Sequence, residues 1–184
     1  MAAYEKYLKE VLLSEAELQT RIAELGAQIT RDYADCDNLM LLCILKGGVM
    51  FLTDLMRHID VPHEIEFMAA SSYGVGVRAS GGEVRIEMDV SSPVQDKHLL
   101  IVEDIVDSGY TLHFVMNTLE ARHPASLRLC TLLNKKSRRE IELPVDYVGF
   151  EIENKFVFGY GLDLDEKFRN LPFIGVVDTD ALDD

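Results

Sequence analysis

The stretch His98-Leu99-Leu100-Ile101-Val102-Glu103-Asp104-Ile105-Val106-Asp107-Ser108-Gly109-Tyr110-Thr111-Leu112 decides the fold. Leu99 to Val102 form an unbroken apolar run, the pattern of a central parallel strand covered on both faces. Two carboxylates, Glu103 and Asp104, stand where such a strand should end. Small hydrogen-bonding residues follow at Asp107, Ser108, Gly109 and Thr111. Leu112, Val115, Met116 and Leu119 then recur at helical spacing. The order is strand, loop, helix, with the chemistry in the loop. Ligands of open α/β sheets bind beyond the carboxyl ends of the strands.

The residue types in that loop narrow the ligand. Gly109 allows a tight turn and a close backbone approach. The amides around it, with the following helix N-terminus, suit a phosphate, and Ser108 and Thr111 add hydroxyl donors. Glu103 and Asp104 would repel that phosphate, so they must face something else. Carboxylates accept from sugar hydroxyls and are hard ligands for Mg²⁺. A phosphate pocket beside a diol or cation site is the outline of a ribose 5-phosphate. The residues alone also permit an exposed acidic turn capping a helix.

Outward from this stretch, residues 39–45 read as a second buried strand. Lys46-Gly47-Gly48 breaks it, and Val49, Leu52, Leu55, Met56 and Ile59 start a helix. A cation at a strand end beside exposed amides suits an anion. Further upstream, Ser14 and Glu17 form a capping-box pattern, and Leu18, Ile22, Leu25 and Ile29 mark one face of a helix ending near Tyr33. Residues 4–13 are predicted to form a short amphipathic helix. Ile65, Phe67 and Ala69 alternate as a strand, and residues 71–83, rich in Ser and Gly, read either as a mobile lid or as a disordered hairpin tip. Val84, Ile86, Met88 and Val90 alternate again, so the lid ends in one strand of an antiparallel pair.

Downstream, Leu127, Leu129 and the run from Thr131 to Leu133 make a strand ending at Asn134-Lys135-Lys136. Tyr147 to Glu151 reads as a short strand. Phe156 and Phe158 face opposite sides if extended, so one ring could stack on a base. Phe173 to Val177 reads as a final strand, and the acidic tail from residue 178 to 184 as frayed. Neither a GxGxxG fingerprint nor a Walker A motif occurs in the sequence.

The 184 residues suffice for one domain with a sizeable core, and no linker or repeat divides them. With 18 Lys and Arg against 32 Asp and Glu, the net charge is −14, which disfavours nucleic acid and anionic membranes as partners. Local cations, amides and Mg²⁺ must override that field if the substrate is an anion. Cys36, Cys43 and Cys130 form no CxxC pair, which favours a reduced, cytoplasmic setting. Charges at Glu5, Lys6, Lys9 and Glu10 argue against a secretory leader.

Residues 102–111, with Glu103-Asp104-Ile105-Val106-Asp107-Ser108-Gly109, resemble the signature loop of type I phosphoribosyltransferases, in the form of the hypoxanthine-guanine branch. Further matches extend the resemblance from about Leu45 to Val177. It implies an α/β fold of three layers: a mostly parallel central sheet flanked by helices, a small hood and a lid hairpin. It implies binding of phosphoribosyl pyrophosphate and a 6-oxopurine, with IMP or GMP and pyrophosphate as products and Mg²⁺ as cofactor. It assigns the 5′-phosphate to Asp107, Ser108, Gly109, Tyr110 and Thr111, with Asp107 as general base. Glu103 and Asp104 are given the ribose and the metal. Lys46, Gly47 and Arg169 take pyrophosphate. Lys135, Phe156, Val157 and Asp163 take the purine, Lys135 at the exocyclic oxygen and Asp163 also at the metal. Ser72 and Tyr73 match the lid dipeptide. The resemblance also implies a cis peptide between Leu45 and Lys46, a homodimer or homotetramer, and a smaller aliphatic residue where Phe158 stands. Two other readings stay open: a xanthine-preferring phosphoribosyltransferase, and a nucleotide-responsive RNA-binding regulator on the same fold.

Overall fold

The computed structural model describes residues 2–73 and 83–182. Its main sheet has six strands in the order β4-β3-β2-β5-β6-β7. They are β2 (Leu39–Leu45), β3 (His63–Tyr73), β4 (Glu83–Met88), β5 (His98–Val106), β6 (Ser126–Asn134) and β7 (Tyr147–Glu151). All neighbours are parallel except β4, which runs antiparallel to β3. The central strands β2 and β5 are the continuous apolar runs, as strands buried on both faces must be.

Alternate residues of these strands feed two cores. Leu39, Leu41 and Cys43 of β2, with Leu100 and Val102 of β5, pack against α1 (Glu15–Asp32) and α2 (Val49–Leu55). Met40, Leu42, Ile44, Leu99 and Ile101 pack against α3 (Tyr110–Glu120) on the other face. The result is the expected three layers. The α1 stripe of Leu18, Ile22, Leu25 and Ile29 is fully buried. The capping box that starts it is formed in both directions between Ser14 and Glu17.

A second, antiparallel sheet of order β1-β9-β8 forms the hood, from β1 (Leu8–Leu13), β8 (Val157–Phe158) and β9 (Ile174–Val177). Here the expectation for residues 4–13 fails. They form a 3₁₀ turn over Glu5–Tyr7 and then β1, instead of an amphipathic helix. Two irregularities in the β1–β9 register, between Leu8 and Glu10 and between Val11 and Leu13, remove the period-two alternation that would announce a strand. As far as residue 182 the acidic tail also departs from expectation: Asp178 donates its amide to the Tyr7 carbonyl at 2.8 Å, and Thr179–Leu182 form a 3₁₀ turn, while 183 and 184 lie outside the described residues.

Phe158, larger than the resemblance implies, is wholly buried in the hood core with Leu164, Leu171 and Val177, its ring edge-on to Phe168 at 6.0 Å. The turn from Gly159 to Gly161 brings the hood over the sheet. It is pinned when the Tyr160 hydroxyl donates to Asp54 of α2 at 2.5 Å. The lid strands pair Tyr73 with Glu83 and Ser72 with Val84. The tip between them, with the expected mobile lid, lies outside the described residues, as do the side chains of Ser72 and Tyr73.

Candidate active site

The carboxyl ends of β2 and β5 open into a cleft of about 330 Å³. Lys46, Gly47, Glu103, Asp104, Asp107, Ser108, Gly109, Thr111, Asp163 and Arg169 all line it. They come from four separate parts of the chain. Parallel register does the collecting, because Leu39 to Cys43 of β2 sit level with His98 to Val102 of β5. Both strands therefore end on the same side of the molecule.

At one end lies the loop between β5 and α3. Gly109 caps the helix at φ 93°, a left-handed conformation that side chains resist. Its back is closed by a segment the sequence did not flag. The amides of Glu140 and Ile141 donate to the Ser108 carbonyl at 3.0 and 3.1 Å. A methyl at Gly109 would meet the Ile141 carbonyl at 2.9 Å. The first amides of α3 have no acceptor within the helix, so this turn offers donors to an anion. The Tyr110 side chain takes no part in the lining: it is 40% exposed, and its hydroxyl donates to Glu140 at 3.2 Å.

Asp107 stands beside this cradle with cations around it. Arg138 Nε donates to its Oδ1 at 3.2 Å, and Lys135 Nζ lies 3.8 Å from Oδ2. Arg139 Nε donates to its carbonyl at 3.2 Å, and Arg139 Nη2 to Asn134 Oδ1 at 2.6 Å. Lys135 itself is 6% exposed, and burial lowers its ammonium from the usual lysine range. Sequence reasoning missed Arg138 and Arg139; an arginine pair three residues beyond Lys135 was the available signal.

Glu103 and Asp104 occupy the middle. Burial, reinforced by the neighbouring Asp104 charge, drives the Glu103 carboxyl well above its usual range, and its Oε2 is buried with no hydrogen-bond partner. Burial also pushes Asp104 up to about 6, although the Ile105 amide donates to its Oδ1 at 2.7 Å. Gly47 presses against this carboxylate; any Cβ there would overlap Asp104 Oδ2. Buried carboxyls short of partners suit a ligand that brings donors or positive charge. Among the described residues, however, no three His, Cys, Asp or Glu side chains come together as a metal cluster, so Glu103, Asp104 and Asp163 do not form a cage by themselves.

The far end carries the side-chain cations. The Leu45–Lys46 peptide is cis. Lys46 Nζ pairs with Glu166 at 2.8 Å. Arg169 pairs with Asp163 at 3.0 Å and Glu166 at 3.4 Å, and donates from Nη1 to the Gly161 carbonyl at 2.9 Å. Glu166 and Gly161 were not foreseen. Gly161 allows the hood to touch the Gly47 carbonyl, where a Cβ would overlap.

Of the four purine candidates Asp163 lines the cleft, whereas Lys135, Phe156 and Val157 lie outside its lining. Phe156 is 50% exposed, and Val157 is buried in β8 opposite Val176.

The phosphoribosyl transferase domain model matches residues 11–165. The chain belongs to the phosphoribosyltransferase family. This phosphoribosyltransferase is 52% identical over 174 residues to the hypoxanthine phosphoribosyltransferase of Haemophilus influenzae, covering 94% of this chain and 97% of that one. It is 49% identical over 176 residues to the hypoxanthine-guanine phosphoribosyltransferase of Mycobacterium avium, covering 93% and 86%. A crystal structure of a hypoxanthine phosphoribosyltransferase from Staphylococcus aureus superimposes with a TM-score of 0.92 at 43% identity, covering 97% and 96%. No helix among the phosphoribosyltransferase's described residues is long and apolar enough to cross a membrane.

Proposed function

We propose that this phosphoribosyltransferase moves the 5-phosphoribosyl group of phosphoribosyl pyrophosphate to N9 of hypoxanthine, and of guanine as a second base. The products are IMP or GMP and pyrophosphate, the reaction of purine salvage. One observation carries the reading: a single cleft joins the Ser108–Thr111 turn, the carboxyls of Glu103 and Asp104 and the cations Lys46 and Arg169, groups suited to a phosphate, a sugar and a diphosphate. The identity to hypoxanthine phosphoribosyltransferases over nearly the whole chain supports the same substrates.

In this reading the 5′-phosphate rests on the amides from Ser108 to Thr111. Glu103 and Asp104 accept from the ribose hydroxyls. Lys46 and Arg169 meet the diphosphate, and the planar guanidinium suits paired phosphate oxygens. Purine N9 attacks C1′ as the C1′–diphosphate bond breaks, so positive charge develops on the ribose and negative charge on the leaving group. The carboxylates stabilise the first and the cations the second. Asp107 takes the purine-ring proton; Arg138 and Lys135 hold its carboxylate beside the cradle. Lys135 donates to the 6-oxo group, which a 6-amino purine cannot accept, so adenine is rejected by hydrogen-bond mismatch. Holding both substrates in one orientation contributes much of the acceleration.

The orphaned Glu103 oxygen and the Asp104 carboxylate fit a hard divalent cation. Magnesium is usually held by one or two carboxylates, substrate oxygens and water, and Glu103 and Asp104 would supply the carboxylates. When bound, it would neutralise diphosphate charge. The test is nucleotide formation from phosphoribosyl pyrophosphate with hypoxanthine, guanine, xanthine and adenine, with and without Mg²⁺. IMP and GMP with stoichiometric pyrophosphate are expected, and no AMP. Xanthine outpacing hypoxanthine, or no turnover with any oxopurine, would reject the reading.

A further inference from the structure

Glu166 has no role in the proposed reaction, yet its position is specific. Its Oε2 lies 2.8 Å from Lys46 Nζ and 3.4 Å from Arg169 Nη2. It thus touches both cations assigned to the diphosphate. The loop holds it there by its backbone: Glu166 has φ 60° and Asp165 φ 53°, both left-handed. The Glu166 amide donates to Asp163 Oδ2 at 2.9 Å. A carboxylate placed between two cations offers the same oxygen acceptors as a phosphate. The pair is open to solvent, with Lys46 68% and Glu166 66% exposed, so it adds little to folding and can part at small cost.

We propose that Glu166 is an internal counterpart of the leaving group: it holds Lys46 and Arg169 between turnovers, yields to pyrophosphate on binding, and returns as pyrophosphate departs. This rests on the assignment of Lys46 and Arg169 to pyrophosphate. The competition weakens pyrophosphate binding and hastens its release, which matters where departure of product limits turnover. It also keeps the two cations from attracting other small anions.

The experiment compares pyrophosphate binding to the full chain, by calorimetry in Mg²⁺ and by product inhibition, for wild type, Glu166→Gln, Asp165→Asn, Lys46→Ala and Arg169→Ala. Glu166→Gln keeps the side-chain shape and removes the charge. It should tighten pyrophosphate about two- to fivefold, the range of an exposed ion pair. Hypoxanthine binding should not move. Asp165→Asn removes a neighbouring charge whose one ion pair among the described residues is with Lys167, and it should leave pyrophosphate affinity unchanged. Unchanged or weaker pyrophosphate binding in Glu166→Gln would overturn the inference. So would an equal gain in Asp165→Asn, which would mean a general field and no contact. In both cases weakening by Lys46→Ala and Arg169→Ala would leave the pyrophosphate assignment standing. If neither of those variants weakens binding, the assignment itself is wrong and the inference falls with it.

Discussion

At one end of the cleft, Gly109 and the first turn of α3 present backbone amides on a loop whose back is clamped by Glu140 and Ile141. At the other end, Lys46 and Arg169 reach in as side chains already paired with Glu166 and Asp163. The first end is set by conformation. Its donors cannot rotate away, and they carry no titratable charge. The second end is set by charge on flexible stems, open to competition and to salt. The proposed reaction would give each its reason: under that assignment the 5′-phosphate stays attached to the product nucleotide, while the diphosphate must leave in every turnover.

That contrast can be broken or sharpened by measurement. The largest effect is expected at Asp107, which borders the rigid end. Asp107→Asn should lower kcat by about 10²–10⁴-fold, the usual contribution of a general acid–base group, while IMP affinity changes little. Equal losses in turnover and binding would remove its role as base. Gly109→Ala should follow. Strain at a left-handed position costs about 1–3 kcal/mol, and the added methyl meets the Ile141 carbonyl at 2.9 Å. IMP binding, read by calorimetry, should fall with thermal stability; a variant that binds IMP normally would show that the cradle does not depend on this backbone.

The middle of the cleft gives a pH test. Asp104 has its folded pKa raised from 3.8 to about 6 by burial. The folded state therefore binds this proton more tightly than the unfolded chain. Stability from this group is present below the unfolded value, is lost as pH rises through about 6, and stays lost above. Asp104→Asn should remove the penalty and stabilise the ligand-free protein at pH 8 by on the order of 2–3 kcal/mol, with no gain near pH 4. Melting temperatures at the two pH values read it out, and activity should fall although stability rises. A uniform shift at both pH values would show that ionisation is not the cause. The smallest effect concerns salt. Screening over a Debye length of about 8 Å at physiological ionic strength acts on exposed charges more than on buried amides. Raising salt should therefore weaken pyrophosphate binding more steeply than IMP binding, and equal slopes would erase the distinction between the ends.

The strand, loop and helix around Gly109 and the layers of the fold were legible because each rests on contiguous residues with one period. Leu99 to Val102 and the stripe of α3 announce themselves locally, and so does the capping box at Ser14. The β1 strand was not legible, since its register breaks with β9 scramble the alternation. Nor was the clamp behind Gly109. Glu140 and Ile141 act through main-chain amides, which any side chain would supply. Nothing local marks Glu166 among the 32 acidic residues, and its proximity to Lys46, 120 residues away, sets it apart.

The order of chemical groups along the chain followed from local composition: a buried strand, two acids, a glycine turn, a helix. The tertiary structure alone decided which distant groups share the cleft with them. Parallel pairing of β2 with β5 brings Lys46 and Gly47 to Asp104, and the hood carries Gly161, Asp163 and Arg169 over the same opening. The physical reason is that hydrophobic periodicity is written residue by residue, whereas the meeting of charges depends on register between strands and on main-chain hydrogen bonds that leave no mark on side-chain identity.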